Sequence, residues 1–315
     1  MKIKSFTDFL TEAENNTSLK KIYLATKRSS GQQWLTYKGF AGNKFFIQIT
    51  ENNLDKLDIN PEYPVLNYHG DIINELLDKN LIKKENVYNQ SEYIKLSGSK
   101  KEFHKKVNGD ENIPITVFSK KDAKEKLNFP IIAKPANGHS GIGISVIKTE
   151  SELDDLNESE YDVYSEFINK KEEMRFFLFK GDVINWLERQ PMNSKAKSGS
   201  GEAKEKMNFK YILRNVNDIP NDYQKVLTKF ATKFNKLPYI CFDVMKSTDD
   251  KIYIIESNTQ PGVPFDVTVQ LYRAIYKDFY KEPINPEDDK KLKQYSSEMI
   301  DMTIKKDKER FSVNN

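Results

Sequence analysis

A lysine and three glycines lie close together in the segment FPIIAKPANGHSGIGISVIK at residues 129–148. Lys134 ends an apolar run, and the glycines precede the next run, at Gly138, Gly141 and Gly143. Glycines let backbone N–H groups approach phosphate oxygens closely, and a lysine at the base of such a loop adds a point charge. The segment therefore predicts a phosphate-binding loop. The same residues also fit a plain glycine hairpin with an exposed lysine.

The residues that follow the loop exclude two common kinds of phosphate site. A Walker loop needs Gly-Lys-Ser/Thr before a helix, and a dinucleotide fingerprint also opens a helix. Here Gly143 leads into the β-branched run ISVIK, and a helix is predicted only after Thr149, an N-cap candidate with Glu152 three residues later. The order strand, loop, strand, helix instead indicates a hairpin whose tip closes over a nucleotide.

A second candidate site lies in two strand-like runs, YICFDVM and KIYIIESN, on either side of a turn. If residues 247–250 form that turn, Asp243 shares a sheet face with Glu256 and Asn258. Buried carboxylates must be paired or bind a metal, and all-oxygen ligation suits Mg²⁺. The pairing therefore predicts a magnesium site. A polar sheet face at a solvent edge is the alternative, and a one-residue bulge would separate the side chains.

The hydrophobic pattern predicts the elements that must position these residues. Short strand-like runs and the helical segment DIINELLDKN make residues 20–95 a small α/β lobe, and KEFHKKV is a short basic helix. Farther on, RFFLF-KGD-VINWLER and YICFDVM-KSTDD-KIYIIES place turn residues between strand-forming runs. These are predicted hairpins, so this part of the sheet should be antiparallel. The spacing of Leu292, Met299 and Ile304 predicts a C-terminal helix with a solvated, charged face.

The composition limits the class of protein. The 315 residues are 37% hydrophobic and 12% aromatic, which is enough to bury a core in two or three lobes. The net charge of +3 gives no reason to expect nucleic acid or an anionic membrane as a partner. Cys241 is the single cysteine and the three histidines are scattered, which excludes a disulfide framework and a zinc site. No apolar run approaches the ~20 residues that span a bilayer. We expect a soluble, cytoplasmic protein.

Two short segments carry weaker predictions. NSKAKSGSGEAKEK, at residues 193–206, is rich in Ser, Gly and Lys and predicts a mobile loop whose four lysines suit an acidic acceptor. FTDFLTE near the N-terminus resembles the short leaders of proteins from large tailed phages, which would place the protein in a phage-infected bacterium. An amphipathic helix that packs on the first lobe is the alternative for this second segment.

Several motifs occur in a fixed order between VYNQSEYIKLSGSKKEF and ESNTQPGVP, more than half of the chain. They are GSKKEF, IIAKP with its glycine loop, YSEFI, EEMRFF, and the pair CFDVM and ESN followed by Pro261-Gly262. In this order the chain resembles the ATP-grasp superfamily of ATP-dependent ligases. It is most similar to the glutamate-adding ligases that modify proteins and small peptides, and less similar to glutathione synthetases and D-alanine ligases.

The resemblance implies a role for each motif. Lys100 and Lys134 would contact the nucleotide, with Lys101 as a possible register error for Lys100. The remaining roles are a lid at Gly138, His139, Ser140, Gly141 and Gly143; adenine at Glu166, Phe167 and Ile168; ribose at Glu173, with Glu172 adjacent; and metal at Asp243, Glu256 and Asn258.

Two positions depart from the family pattern. The usual aspartate before the first lysine is Ser99, and the arginine that many members place two residues before the metal aspartate is Cys241. The role of stabilising the oxyanion must then fall to another arginine. Our first candidate is Arg214, which follows the lysine-rich loop, and the others are Arg175 and Arg189.

The resemblance also implies a fold and a reaction. The fold class is α/β (α+β), an ATP-grasp fold of three lobes with an antiparallel sheet that closes over the nucleotide. The lobes would be residues 1–95, 96–165 and 166–284, with a helical tail at 285–315. The reaction would be ADP-forming ligation of a carboxylate to an amine through an acyl-phosphate, with ATP and Mg²⁺ or Mn²⁺ as cofactors and an amino acid, peptide or protein as the acceptor. Alternatives are a kinase that phosphorylates a sugar or inositol alcohol, and a non-catalytic nucleotide-binding module.

Overall fold

The computed structural model describes residues 19–26, 45–68, 71–136, 143–191 and 209–294. Four predictions fall outside these ranges: the FTDFLTE segment, the lid residues Gly138, His139, Ser140 and Gly141, the loop at 193–206, and the tail residues Met299 and Ile304. The chain divides into two compact units, one formed by residues 1–91 with 260–315 and the other by residues 92–259. In the described part of the chain, no helix has the length and apolarity needed to cross a membrane.

The first unit contains a parallel sheet in the strand order β2-β1-β3-β4. Its strands are β1 (Ile22–Ala25), β2 (Phe46–Ile49), β3 (Val65–Asn67) and β4 (Val87–Tyr88). Helix α1 (Asp71–Asp78) follows β3, and its Ile72, Ile73 and Leu76 are buried in the core of this unit. Parallel strands need crossover connections, which is why the short runs of the sequence alternate with helical or irregular segments. The predicted small α/β lobe is present.

The long helix that follows the second candidate site belongs to the first unit. The sequence prediction included this segment in a lobe at 166–284, whereas the structure assigns residues from 260 onward to the unit of the parallel sheet. The reason is aromatic packing: Tyr272 makes a T-shaped contact with Phe46, and its hydroxyl donates to the carbonyl of Lys20 at 2.6 Å. This helix is α7 (Phe265–Tyr280). A further helical segment runs over 286–294.

The second unit begins with two short helices and a small antiparallel sheet. The helices are α2 (Ser91–Gly98) and α3 (Lys100–Val107). The sheet has the order β5-β8-β6-β7, with β5 (Thr116–Val117), β6 (Ile131–Lys134), β7 (Ser145–Ile147) and β8 (Val163–Glu166). Helices α4 (Lys120–Lys126) and α5 (Glu150–Asp155) cover one of its faces.

The predicted order around the glycine loop is present. Strands β6 and β7 pair antiparallel, with Ile131 opposite Ile147, so the segment between them is a hairpin connection. Helix α5 follows β7, and the hydroxyl of Thr149 accepts from the N–H of Glu152 at 3.2 Å, as predicted for its N-cap.

The second unit ends with a five-stranded antiparallel sheet in the order β11-β10-β9-β12-β13, hereafter the large sheet. Its strands are β9 (Lys170–Phe179), β10 (Asp182–Pro191), β11 (Phe209–Arg214), β12 (Tyr239–Ser247) and β13 (Ile252–Asn258). Both predicted hairpins, β9–β10 and β12–β13, are present. Lys180 and Gly181 both have positive φ between β9 and β10, because a two-residue hairpin turn of this hand requires it.

The large sheet has two different faces. One face, the core face, packs through residues such as Phe176 and Phe242 against helix α6 (Asn221–Lys233). Phe242 contacts the rings of Phe230 and Phe234, at centroid distances of 6.3 and 5.8 Å. The other face, the site face, carries Arg175 and Asp243, which are cross-strand partners.

Candidate active site

Strands β12 and β13 bring two carboxylates side by side on the site face. Asp243 is the cross-strand partner of Glu256, and Asn258, two residues along β13, is the partner of Cys241. Cross-strand partners point to the same side of a sheet, as do residues two apart on one strand. Asp243, Glu256 and Asn258 are therefore on one face.

The register that produces this arrangement differs from the predicted one. Val244 lies opposite Ile254 and Asp243 lies opposite Glu256, so Ile255 is an extra residue in β13. Without this bulge Asp243 would lie opposite Ile255, and Glu256 would point to the core face. The statement that a one-residue bulge would separate the carboxylates was wrong, because this bulge brings Asp243 opposite Glu256. The predicted turn at 247–250 would pair Lys246 with Lys251, whereas in the structure Lys246 lies opposite Ile252. This one-residue shift alone would turn Glu256 to the core face, and the bulge at Ile255 reverses it.

The two carboxylates have opposite electrostatic environments. Burial and the neighbouring Asp243 carboxylate raise the pKa of Glu256. Burial opposes ionisation of Asp243 as well, but the charge and hydrogen bonds of Arg175 hold its pKa below the usual value. Two adjacent partly buried carboxylates are costly unless a cation lies between them.

The donor set fits a hard cation. Carboxylate and amide oxygens are what Mg²⁺ binds in proteins, and Mg²⁺ uses few protein groups because it keeps waters and substrate phosphates as ligands. The described residues contain no group of three or more His, Cys, Asp or Glu that could hold a metal ion. The set of Asp243, Glu256 and Asn258 contains two acids and one amide.

Two lysines face these carboxylates from other elements. The ammonium of Lys100, the first residue of α3, lies 3.6 Å from Glu256 Oε2. Lys134 ends strand β6, is 7% exposed, and interacts electrostatically with Glu256. Burial, together with the charge of Lys100, lowers the pKa of Lys134 to about 8, although the Glu256 carboxylate opposes this. The structure thus brings together the two lysines of the predicted nucleotide site and the carboxylates of the predicted metal site.

The neighbouring lysine has a different role. Lys101 points away from the carboxylates and pairs with Asp162 at 3.2 Å. Asp162 also accepts from the N–H of Ala136 at 3.1 Å, and its own N–H donates to the carbonyl of Lys134 at 3.0 Å. It therefore fixes the base of the glycine hairpin, where the hydrogen bond from Ala136 lowers its pKa. Sequence reasoning did not identify Asp162, which lies far along the chain and in no motif.

Gly143 is the lid residue that the structure describes. Its φ is +77°, a conformation that favours glycine, and a Cβ at this position would lie 3.2 Å from Pro135 Cγ. The glycine is thus required for the chain to return from the hairpin beside Pro135.

The predicted adenine segment borders a cavity of about 250 Å³. Its lining residues in the described chain are Ile115, Lys126, Leu127, Asn128, Phe129, Pro130, Glu166, Phe167 and Asn169. Glu166 is fixed at both ends, because its N–H donates to the carbonyl of Ile115 and its Oε1 accepts from the N–H of Ile115, each at 2.9 Å. Ile168 is not part of the lining.

The two adjacent glutamates considered for ribose separate onto opposite faces. Glu173 is on the site face, where Arg189 Nη1 donates to one carboxylate oxygen at 2.6 Å and Lys170 Nζ to the other at 2.8 Å. Burial acts to raise the pKa of Glu173, but these two cations lower it overall. Glu172 accepts from the hydroxyl of Tyr223 in α6, at 3.1 Å, on the core face.

The arginines also separate by face. Arg175 is the cross-strand partner of Asp243, and its Nε and Nη2 donate to the two Asp243 oxygens at 2.6 and 2.8 Å. Arg189 is on the same face, bound to Glu173. Arg214 is opposite Trp186 on the core-face side, where its Nε donates to Glu188 at 2.9 Å. The structure therefore does not bring Arg214 to the predicted site. Alternate residues of a strand point to opposite faces, and the position of Arg214 in β11 directs its side chain to the core-face side.

A family model and several solved structures are similar to this chain. The model of the RimK-like ATP-grasp domain matches residues 116–271. The crystal structure of D-alanine–D-alanine ligase from Bacillus anthracis has a TM-score of 0.58 and 15% identity, covering 83% of this chain and 99% of that one. The same enzyme complexed with ATP has the same score and identity, with coverages of 84% and 99%.

A peptide-bound structure is similar as well. The Chryseobacterium gregarium RiPP-associated ATP-grasp ligase, in complex with ADP and a leader and core peptide, has a TM-score of 0.52 and 16% identity, covering 84% of this chain and 98% of that one. No curated protein sequence matches this chain. At these identities the likeness to solved structures concerns the fold alone.

Proposed function

The chain belongs to the ATP-grasp superfamily through its RimK-like domain at residues 116–271, and from this premise we propose that it is an ATP- and Mg²⁺-dependent carboxylate–amine ligase. The observation that carries the proposal is the convergence of Lys100 and Lys134 on the carboxylate of Glu256, which lies opposite Asp243. Such a set of cations and oxygen ligands suits a nucleoside triphosphate with its metal ion.

The binding roles follow from the arrangement. Lys100 and Lys134 would supply positive charge to the phosphates, and we assign the role of lid to the segment from Gly138 to Gly143 as a sequence feature. Asp243, Glu256 and Asn258 would hold Mg²⁺, or Mn²⁺ in its place. The bound ion would neutralise charge on the phosphates and polarise the γ-phosphoryl group. The segment Glu166, Phe167 and Ile168 would receive adenine, and Glu173 would receive the ribose.

The reaction needs no nucleophile from the protein. An oxygen of the substrate carboxylate attacks the γ-phosphorus, the bond to the β–γ bridging oxygen breaks, and ADP leaves. The nitrogen of the amine then attacks the acyl carbon, phosphate leaves, and the amine loses a proton to solvent. The enzyme contributes positioning, charge stabilisation and exclusion of the water that would hydrolyse the acyl-phosphate.

The oxyanion role falls to arginines on the site face. Arg175 and Arg189 are on this face, whereas Arg214 is not. Arg175 acts electrostatically on the Cys241 thiol, at the position where many family members have an arginine. We propose that Arg175, in the neighbouring strand β9, supplies the positive charge that an arginine at position 241 would provide. Arg189 would act on the side of the acceptor.

The acceptor is an amino acid, a peptide or a protein. The peptide-bound relative supports the inclusion of peptides among the compounds tested. The lysines of the 193–206 loop, as a sequence feature, favour acidic candidates such as glutamate or an acidic peptide.

Hydroxylamine provides a test that does not require the natural amine. The protein is incubated with ATP, Mg²⁺, hydroxylamine in place of the acceptor amine, and each of a panel of candidate carboxylate substrates that includes amino acids and peptides with free carboxylates. We expect ADP and a hydroxamate in equal amounts with the correct acid, and no product from Glu256→Gln. ADP released together with a stable phosphorylated alcohol would instead identify a kinase, and nucleotide binding without turnover on any substrate would favour a binding module.

A further inference from the structure

A buried histidine near the two lysines makes no hydrogen bond to the residues that the structure describes. His104 is 1% exposed, and neither of its ring nitrogens has a hydrogen-bond partner in this part of the chain. A neutral imidazole has one donor and one acceptor, so both are unsatisfied in the interior. Such an arrangement costs free energy that an apolar side chain of similar size would not, and each case in a native protein calls for an explanation.

The position of His104 in α3 connects it to the predicted nucleotide site. It follows Lys100 by four residues, so the two side chains are neighbours on one face of the helix. The N–H of Lys100 donates to the carbonyl of Ala136 at 3.1 Å, which ties the start of α3 to the chain two residues beyond Lys134. The first turn of the helix and the end of β6 are thus held together, with His104 one turn below.

The charges around His104 keep it neutral. Burial, and then the positive charges of Lys134 and Lys100, lower the pKa of His104 to about 3. At neutral pH the ring therefore always presents one nitrogen with a free lone pair. Because the ring stays unprotonated, it cannot supply positive charge in place of Lys134 or Lys100.

Lys134 has the complementary need. Within the described residues its ammonium makes no hydrogen bond or ion pair, although the residue is only 7% exposed. A buried ammonium that donates no hydrogen bond is costly. The unpartnered His104 ring and the Lys134 ammonium, which the Glu256 carboxylate attracts without a hydrogen bond, thus lie in the same region.

We propose that His104 is a positioning residue for the nucleotide site, and that its unprotonated ring nitrogen accepts a hydrogen bond from the Lys134 ammonium when that lysine binds the phosphates. This inference rests on the proposed function, since it requires Lys134 to bind ATP. His104 does not itself touch the nucleotide, because it is buried. It fixes the direction of the ammonium.

Nucleotide affinity and stability together test this role. The dissociation constant for the non-hydrolysable analogue AMP-PNP with Mg²⁺ is measured by calorimetry, and the melting temperature by circular dichroism, for the full chain. His104→Leu should weaken binding about tenfold, the loss typical of one hydrogen bond to a charged group, while the melting temperature stays equal or rises. His104→Gln, whose amide oxygen is an acceptor, should restore affinity to within about threefold of wild type.

Tyr164→Phe is the matched control. The hydroxyl of Tyr164 is also buried and unpartnered, but Tyr164 is in β8 on the face of the small sheet that α4 and α5 cover. Its removal should leave the dissociation constant unchanged.

Each outcome decides between the two proposals. Wild-type affinity in His104→Leu, or equal weakening in the Leu and Gln variants, would overturn the role of His104 while the ligase proposal stands. If the Leu variant does not fold, His104→Met replaces it with the same expectation. Failure of the wild-type protein to bind AMP-PNP would overturn the proposed function, and this inference with it.

Discussion

The two faces of the large sheet differ more than any other pair of regions in the second unit. On the core face, Phe176 and Phe242 are fully buried in the aromatic and aliphatic cluster that includes residues of α6. On the site face, Arg175, Asp243 and Glu256 lie within one stretch of the same strands. Each strand contributes alternate residues to both faces, so one run of sequence encodes both.

The difference shows how one sheet meets two physical demands. Burial of aromatic rings on the core face provides the stability of the unit. That stability allows the site face to hold the neighbouring carboxylates of Asp243 and Glu256, near the buried Lys134 of β6. These buried charged groups by themselves oppose folding. Substitutions on the core face should therefore change the free energy of unfolding, and substitutions on the site face should change nucleotide chemistry.

The largest expected effect is on the core face. Phe242→Ala removes a ring that is 0% exposed and contacts Phe230 and Phe234. We expect the free energy of unfolding to fall by about 3–5 kcal/mol, because the cavity adds to the lost burial. Urea denaturation followed by circular dichroism measures this, with Phe242→Leu as a milder control. A loss below about 1 kcal/mol would mean that this face is not the core of the unit.

The next effect is on the site face. Glu256→Gln keeps the shape of the side chain and removes one of two adjacent carboxylates. We expect Mg²⁺-dependent ATP turnover to fall by about 100-fold or more, since a metal ligand is lost. The free energy of unfolding should stay equal or rise, because the pKa of Glu256 is raised and its ionised form is therefore unfavourable in the folded state. Turnover within a few-fold of wild type would refute the metal assignment.

A smaller effect should appear in the pH dependence of nucleotide binding. The pKa of Lys134 is lowered to about 8, so the free protein loses this charge as the pH rises above that value. We expect the affinity for AMP-PNP to fall with rising pH, by up to about tenfold one pH unit above the pKa. Below pH 7 this contribution should be constant. Calorimetry between about pH 6.5 and 9.5 measures it, and Lys134→Arg, which stays charged, should give a flatter profile.

The smallest effect separates two arginines by face. Arg214→Met removes a partly exposed ion pair with Glu188, so the free energy of unfolding should change by about 0–1 kcal/mol and ligase turnover by less than about twofold. Arg189→Met, on the site face, should lower turnover by about tenfold, because Glu173 loses one of its two cations. A larger loss in Arg214→Met than in Arg189→Met would reverse the assignment of the faces.

The secondary-structure elements and their local chemistry could be predicted from the amino-acid pattern. Alternating apolar residues and turn residues predicted both hairpins of the large sheet, and the strand after Gly143 excluded a helix-opening phosphate loop. These features depend on residues that are near one another in the chain, where backbone geometry and side-chain period act directly. The resemblance to ATP-grasp ligases rested on the same local motifs, and the family model at 116–271 confirms it.

Which residues meet in the site depends on strand pairing and packing across the fold. Asp243 lies opposite Glu256 because of an extra residue at Ile255, and a bulge of this kind depends on the whole strand pairing rather than on the residue inserted. The face of Arg214 follows from the register of β10 with β11, and the unit of α7 follows from the packing of Tyr272 against the parallel sheet. The low pKa of Lys134 and the unpartnered ring of His104 arise from burial, which distant parts of the chain supply together. A one-residue change of register moves every side chain to the opposite face, so local pattern alone could not fix the composition of the site.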